Sequence, residues 1–263
     1  MTTSNFVRRQ NERGVSMDPV YRRVLIKLSG EALGVDGKLF DFNMFGRIAE
    51  VIARISRRGV QVALVLGGGN LWRGREAEKT ASEMDRVLAD HMGMLGTVMN
   101  SLAMRDALLQ NRQKARVFSA IPITGMVEPY FYLDALRCLQ QNEVAILACG
   151  LGTSGPFHST DTAAAQRAAE IKADAILMAK NVDGIYDSDP KENKAAKIIE
   201  SATYRQMIRQ QMEQGKEAID TEALILCQKT ELPAMLVFAL QNPDDMERMI
   251  DGEKPGTLLT PEM

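Results

Sequence analysis

Four short segments hold residue types able to grip an anion or neutralise a transferred group, and each follows an apolar run. The first is Lys27-Leu28-Ser29-Gly30. Lys27 supplies a compact positive charge, and Gly30 permits backbone conformations that turn amides toward a ligand. A solvated lysine at a strand end is the plainer reading of that segment alone. The second is Gly67-Gly68-Gly69-Asn70-Leu71-Trp72-Arg73-Gly74. Three consecutive glycines have no packing use and weaken structure entropically. They make sense where a backbone must approach a bulky anion with successive amides forming a concave nest, and Arg73 adds directional donors for a phosphate.

The third segment runs from Gly150 through Thr153, Ser154, Gly155, Pro156, Phe157, His158, Ser159 and Thr160 to Asp161, then into Thr162-Ala163-Ala164-Ala165. A glycine- and hydroxyl-rich loop that opens an alanine-rich helix presents free amides and the positive end of the helix dipole to an anion. Asp161 reads equally as an N-cap and as a residue with a catalytic role. The fourth is Lys180-Asn181-Val182-Asp183-Gly184-Ile185-Tyr186-Asp187-Ser188-Asp189-Pro190. It reads either as a base-and-ribose pocket or as a charged surface turn punctuated by Asp-Pro.

Other chemistries find less support. There is no GxxxxGK[ST] and no GxGxxG after a strand, the two familiar nucleotide signatures. His91 and His158, the two histidines, lack metal-ligand spacing and read as packed or surface residues. The 16 methionines read as adaptable packing. Cys138, Cys149 and Cys227 form no CxxC pair, so neither a disulfide framework nor a zinc ribbon is expected, and a reducing compartment is.

The elements that must position these segments alternate along the chain. Strands are expected over residues 23–28, 60–66, 115–118, 144–148, 175–178 and 234–239, each mostly apolar, as in strands covered on both faces. Helices are expected over 44–58, with Gly59 as the capping glycine, and over 133–141, 161–172, 203–214 and 221–229. The pattern predicts a three-layer α/β sandwich with a central, largely parallel sheet. Parallel strands share one carboxyl edge, so all four segments face the same way. Phosphoryl transfer asks for positioning and charge neutralisation more than covalent chemistry, and those parts are present.

Residues 83–110 form a further helix with two apolar stripes. Val87, His91, Met94, Val98 and Leu102 make one, and Leu88, Met92, Leu95 and Met99 the other, with Gly93, Gly96 and Ala103 small enough for close backbone approach. Such a helix is covered on more than one side, so core on one side and a subunit contact on the other is expected.

Apolar residues make up 45% and charged residues 25% of the 263, and 32 Lys and Arg stand against 34 Asp and Glu. That near-balance argues against a nucleic-acid binder but not against a small phosphorylated ligand. No run of about eighteen apolar residues would span a membrane, and residues 1–20 lack a secretory apolar core. The expectation is a cytosolic chain with a mobile arm over 1–20 and one domain over 21–263.

Together the motifs resemble the bacterial uridylate kinase branch of the amino acid kinase family. The match rests on KLSGEAL at 27–33, GGGNLWRG at 67–74, DHMGMLGTVMNSLAMRDAL at 90–108, STDTAAAQRAAEIKAD at 159–174, VDGIYDSDP at 182–190 and GEKPGTL near the C-terminus. The resemblance implies transfer of the ATP γ-phosphoryl group to UMP, giving ADP and UDP for pyrimidine nucleotide synthesis, with magnesium carried on the ATP. It assigns the ATP phosphates to Lys27, Leu28, Ser29, Gly30, Gly69 and Arg73, and the adenosine end to Tyr186 and Asp189, with Lys180 or Asn181 meeting ATP. UMP falls to Gly68, Asp90 and residues Thr153 through Thr160. Asp161 would orient Lys27 or the metal, since a nucleotide phosphate is already an anionic nucleophile. The family is usually a hexamer tuned by GTP or UTP, and Arg105, Asp106 and Arg116 match part of that effector site, with Leu109 where some members have histidine.

Two departures stand out. The usual acceptor loop reads near GTGNPFFTTD, whereas Ser154 and Gly155 replace its Gly-Asn pair and His158 an aromatic residue. Two rivals share the fold: a kinase of a small carboxylate, and a non-catalytic nucleotide- or oxyanion-binding protein.

Overall fold

The computed structural model describes residues 18–34, 38–72, 84–152, 158–188, 190, 192–215 and 217–262. Of the arm expected over 1–20, only 18–20 fall within these, and the Val20 N–H donates to the Ile250 carbonyl at 2.9 Å.

Nine strands form one sheet among the described residues: β1 (Arg23–Leu28), β2 (Gln61–Leu66), β3 (Ala115–Ser119), β4 (Glu128–Pro129), β5 (Val144–Ala148), β6 (Ala175–Lys180), β7 (Ser201–Thr203), β8 (Met235–Ala239) and β9 (Thr257–Thr260). Their order is β4-β3-β5-β2-β1-β6-β8-β9-β7. All neighbours are parallel except β8 and β9. The six expected strands occur with ends shifted by at most two residues. The added strands β4, β7 and β9 have two to four residues each, too short to show a period.

Among the described residues seven α-helices cover the sheet: α1 (Phe42–Arg57), α2 (Arg86–Gln110), α3 (Tyr132–Gln140), α4 (Thr160–Glu170), α5 (Tyr204–Gln214), α6 (Thr221–Lys229) and α7 (Asp245–Ile250). Helix α1 starts two residues before the expected position because the Asp41 carboxylate accepts from the Asn43 and Met44 amides, an N-cap. Arg58 caps its C-terminus, and Gly59 follows at φ 85°, the left-handed position glycine favours.

Alternation along each strand divides the core in two. Val24, Ile26 and Leu28 of β1, with Ala175, Leu177 and Ala179 of β6, belong to the cluster packed with α1, α2 and α7. Leu25, Ile176 and Met178 belong to the opposite cluster, with α3, α4, α5 and α6. By the same period, Lys27 and Lys180 project on the α4 side. Sheet and helices therefore form the expected three layers.

Helix α2 holds the β2 exit. The wholly buried Asn100 donates to the Gly67 carbonyl at 2.7 Å and exchanges amide hydrogen bonds with Asn70. Val98 on its first stripe is buried, while Leu88, Met92, Leu95 and Met99 on the second are 58%, 40%, 53% and 51% exposed. Asn100→Leu keeps the volume but strands the Gly67 carbonyl and Asn70 Oδ1, while Asn70 Nδ2 keeps the Leu39 carbonyl. Urea unfolding is expected to show a loss of about 1–3 kcal/mol.

Candidate active site

Three charged groups meet where β1 and β6 end beneath the start of α4. Lys27 Nζ lies 3.0 Å from Asp161 Oδ1, and Lys180 Nζ lies 2.5 Å from Asp161 Oδ2. The side chains of Lys27 and Asp161 are each 7% exposed. Taking each ion out of water costs several kcal/mol, repaid only by close pairing. Burial pushes the Asp161 pKa up, but the charges of Lys27 and Lys180 and their hydrogen bonds outweigh it and hold the carboxyl well below the usual range. Burial dominates at Lys27 and lowers its pKa despite Asp161. Two ammoniums share this one carboxylate, which favours an incoming anion at the same spot.

The helix start supports that preference. Ser159 is the N-cap of α4, its hydroxyl accepting from the Asp161 and Thr162 amides at 3.1 and 3.2 Å. Asp161 is thus free of the capping role and turns its carboxylate to the lysines. Asp220, the N-cap of α6, stands beside it: its Oδ2 accepts from the Thr162 hydroxyl at 3.2 Å.

Gly30, Gly68 and Gly69 are not among the residues that line the cleft over the triad; the glycines pack backbone against backbone instead. A Cβ on Gly30 would lie 2.4 Å from the Gly69 nitrogen and 2.7 Å from the Gly67 carbonyl oxygen, and one on Gly68 would lie 2.5 Å from the Gly93 carbonyl oxygen of α2. The expectation that the triple glycine has no packing use is therefore corrected. These residues are glycine because backbones touch there, a constraint that acts before any ligand arrives. The Leu28 side chain packs in the α1–α2 core and its carbonyl accepts from the Gly67 amide at 2.9 Å, so its side chain lies away from the site.

A cleft of about 840 Å³ opens over the triad. Lys27, Ser29, Asp90, His158, Ser159, Thr160, Asp161, Lys180, Asn181 and Tyr186 line it, as the motifs predict. Lys180 and Asn181 divide their tasks: Lys180 meets Asp161, while the Asn181 amide donates to Glu31 Oε2 at 2.8 Å. His158 sits at the rim, its Nδ1 3.6 Å from Glu222 Oε2. Asp90 lies 3.6 Å from Arg86 Nε, one helical turn earlier. Arg73, Thr153, Ser154, Gly155, Pro156, Phe157 and Asp189 lie outside the described residues.

Several lining residues escaped the motif reading. Arg86 opens α2; Met207, Gln210, Gln211 and Gln214 come from α5, with Glu217 and Asp220 just beyond. Their only sequence signal is a helical pattern unusually rich in glutamine. Gln211 is buried and holds the Ala218 and Ile219 amides and the Ile219 carbonyl, which shapes that wall.

Arg105 and Arg116 line a separate cavity of about 310 Å³ with Glu128. Arg116 Nε donates to Glu128 Oε1 at 2.8 Å, and this pairing raises the arginine pKa and lowers the glutamate's. Asp106 is not among the lining residues; its Oδ2 accepts from the Gln110 side chain at 2.6 Å.

Comparison with known proteins gives a consistent picture. Residues 22–237 match the family described as the amino acid kinase family. The chain is 43% identical over 243 residues to a uridylate kinase of Escherichia coli O1:K1 / APEC, covering 92% of this chain and 97% of that one. A crystal structure of a UMP kinase from Bacillus anthracis superposes with a TM-score of 0.84 at 39% identity, covering 92% of this chain and 97% of that one. One from Ureaplasma parvum gives 0.82 at 36%, covering 91% and 98%.

The triad makes a stability prediction. Asp161→Asn leaves two ammoniums without their counter-ion and should cost on the order of 3 kcal/mol, because Lys180 keeps some water. A group with a depressed folded pKa stabilises fully above its unfolded value, near 4 for aspartate, and loses that contribution as pH falls through the folded value. Thermal melts should therefore show a gap between wild type and variant that is full at neutral pH and narrows below about pH 4.

Proposed function

The chain belongs to the amino acid kinase family, and from that premise we propose that it is a uridylate kinase. A phosphate oxygen of UMP attacks the γ-phosphorus of ATP; the new P–O bond gives UDP as the bond to the departing β-phosphate oxygen breaks to give ADP. The observation that carries this reading is the Lys27–Asp161–Lys180 triad at the floor of a cleft that would seat two nucleotides.

In this proposal Lys27 and Lys180 neutralise charge on the transferred group, the main source of rate enhancement when the nucleophile is already an anion. Asp161 holds both ammoniums in place. Its depressed pKa keeps it ionised, which makes it a poor proton acceptor and fits a reaction that needs no general base. Both its oxygens are engaged by lysines, so the residues present fit a magnesium ion that arrives on the ATP phosphates. When bound there, the ion offsets β- and γ-phosphate charge.

The phosphates of ATP are assigned to Ser29, the amides around Gly30 and Gly69, and Arg73. Adenosine is assigned to the end lined by Tyr186, with Asn181 and Asp189 nearby in sequence. UMP is assigned to Gly68, Asp90 and the segment ending at His158, Ser159 and Thr160. The one sheet from Arg23 to Thr260 supports reading 21–263 as one domain. No helix among the described residues is long and apolar enough to cross a membrane, which accords with a cytoplasmic enzyme of pyrimidine nucleotide synthesis. The exposed stripe of α2 supports assembly of copies, as a homo-hexamer. An anionic effector such as GTP or UTP in the Arg105–Arg116 cavity would have to displace Glu128 from Arg116.

The test is ADP release from MgATP with UMP, CMP, N-acetylglutamate or aspartate as acceptor. UMP should be preferred, and absent or UMP-independent turnover overturns the assignment. Lys27→Ala should lower turnover by about 10²–10³-fold while sedimentation shows an unchanged assembly. Leu95→Glu in the exposed stripe should instead yield a smaller species by sedimentation.

A further inference from the structure

The side of α4 away from the triad carries a second buried cation that the reaction does not use. Arg167 is 6% exposed, and its guanidinium carbon lies 3.8 Å from the centroid of the Tyr130 ring. Nη1 donates to Glu170 Oε2 at 2.8 Å, and Nη2 to the Gly150 carbonyl at 2.9 Å. Glu170 is fixed in turn: its Oε2 accepts from the Tyr130 hydroxyl and its Oε1 from Gln166. The Tyr130 amide donates to the Ser119 carbonyl at the end of β3.

The bond to Gly150 sits at an awkward point of the chain. Cys149 and Gly150, directly after β5, have φ of 60° and 54°, a conformation that non-glycine residues rarely adopt. The Cys149 amide is held by Thr97 Oγ1 at 2.9 Å, its carbonyl accepts from the Gly152 amide, and the carbonyl of Gly150 is the one Arg167 takes. Seven residues before Arg167, on the same stripe of α4, stands Thr160 at the far end of the connection. Arg167 therefore joins the departure of the chain from β5 to the helix into which it returns.

We propose that Arg167 is a positioning residue for the acceptor nucleotide: by holding Gly150 against α4 it fixes the separation of the two ends of the connection that bears His158, Ser159 and Thr160. The inference rests on the assignment of that connection to UMP. Fixing the ends in advance removes ordering that the ligand would otherwise have to impose. The fork of a guanidinium can serve a carboxylate and a carbonyl while stacking on a ring, which an ammonium cannot.

Steady-state kinetics test this with UMP and ATP varied in turn. Arg167→Lys keeps the charge and loses the fork. It is expected to raise the KM for UMP roughly tenfold while leaving kcat and the KM for ATP within about twofold. Tyr130→Phe keeps the ring and removes only the hydroxyl on Glu170, and should raise the KM for UMP roughly threefold; it carries the test if Arg167→Lys does not fold. UMP KM values within twofold of wild type in the folded variants, or equal rises for both substrates, overturn the proposal. Hydrogen exchange at the hydrogen-bonded amides of Gly152, Asp161, Thr162 and Ala163, at the two ends of the connection, gives a readout that does not depend on activity. Exchange faster than wild type in the variants supports the anchoring role, and unchanged exchange overturns it. Wild-type protein that turns over no UMP would instead sink the assignment of the acceptor.

Discussion

One buried carboxylate between two ammoniums, Lys27 buried and Lys180 half-buried, is the constraint around which the rest of the chain is arranged. Such a group is stable only if all three charges arrive together, since any one left alone in the interior would cost several kcal/mol. The sheet delivers the lysines by simple alternation: Lys27 follows Leu25 on one face of β1, and Lys180 follows Ile176 and Met178 on the same face of β6. The adjacent parallel register of those strands then places both side chains under one helix start. Ser159 frees Asp161 by taking over the cap, and the helix end adds its own positive field. Fold and charge constellation are consequently one requirement.

Helix α2 shows how a single element serves two demands on opposite faces. Inward, its backbone at Gly93 and Thr97 comes so close to Gly68 that Gly68 has no room for a side chain, and it offers Thr97 and Asn100 to the exits of β5 and β2. Outward, it shows a row of leucine and methionine. This explains why its composition is apolar nearly all round while its contacts with the sheet edge are polar. Small residues allow approach, and buried amides satisfy the carbonyls exposed where the strands stop.

Much of this was legible from residue order because it rests on local rules. β1, β5 and α6 appear at the expected residues, and the lysines and Asp161 fall at strand and helix ends where pattern alone put them. What was hidden depends on partners remote in sequence. Nothing near Asp161 tells whether it or Ser159 caps α4, because the answer lies with Lys27 and Lys180. Gly67–Gly69 read as a ligand loop, while at Gly67 and Gly68 the nearer cause is contact with Gly30 and Gly93. The glutamines of α5 carry no motif at all, and only packing brings them to the cleft. Glu128 beside Arg116 was equally invisible, since a two-residue strand sets their distance.

The central place of β1 in the sheet has a consequence for how the protein is made. Ile26 pairs on one side with Leu64 and on the other with Leu177. At ribosomal rates of roughly 5–20 residues per second, the second partner emerges on the order of ten seconds after the first strand. During that interval the open edge of β1 is exposed, and Lys27 has neither its carboxylate nor its covering helix. Nascent chains halted before residue 160 are thus the ones most dependent on a chaperone, and a lysine near the end of the edge is a fitting guard against premature strand pairing.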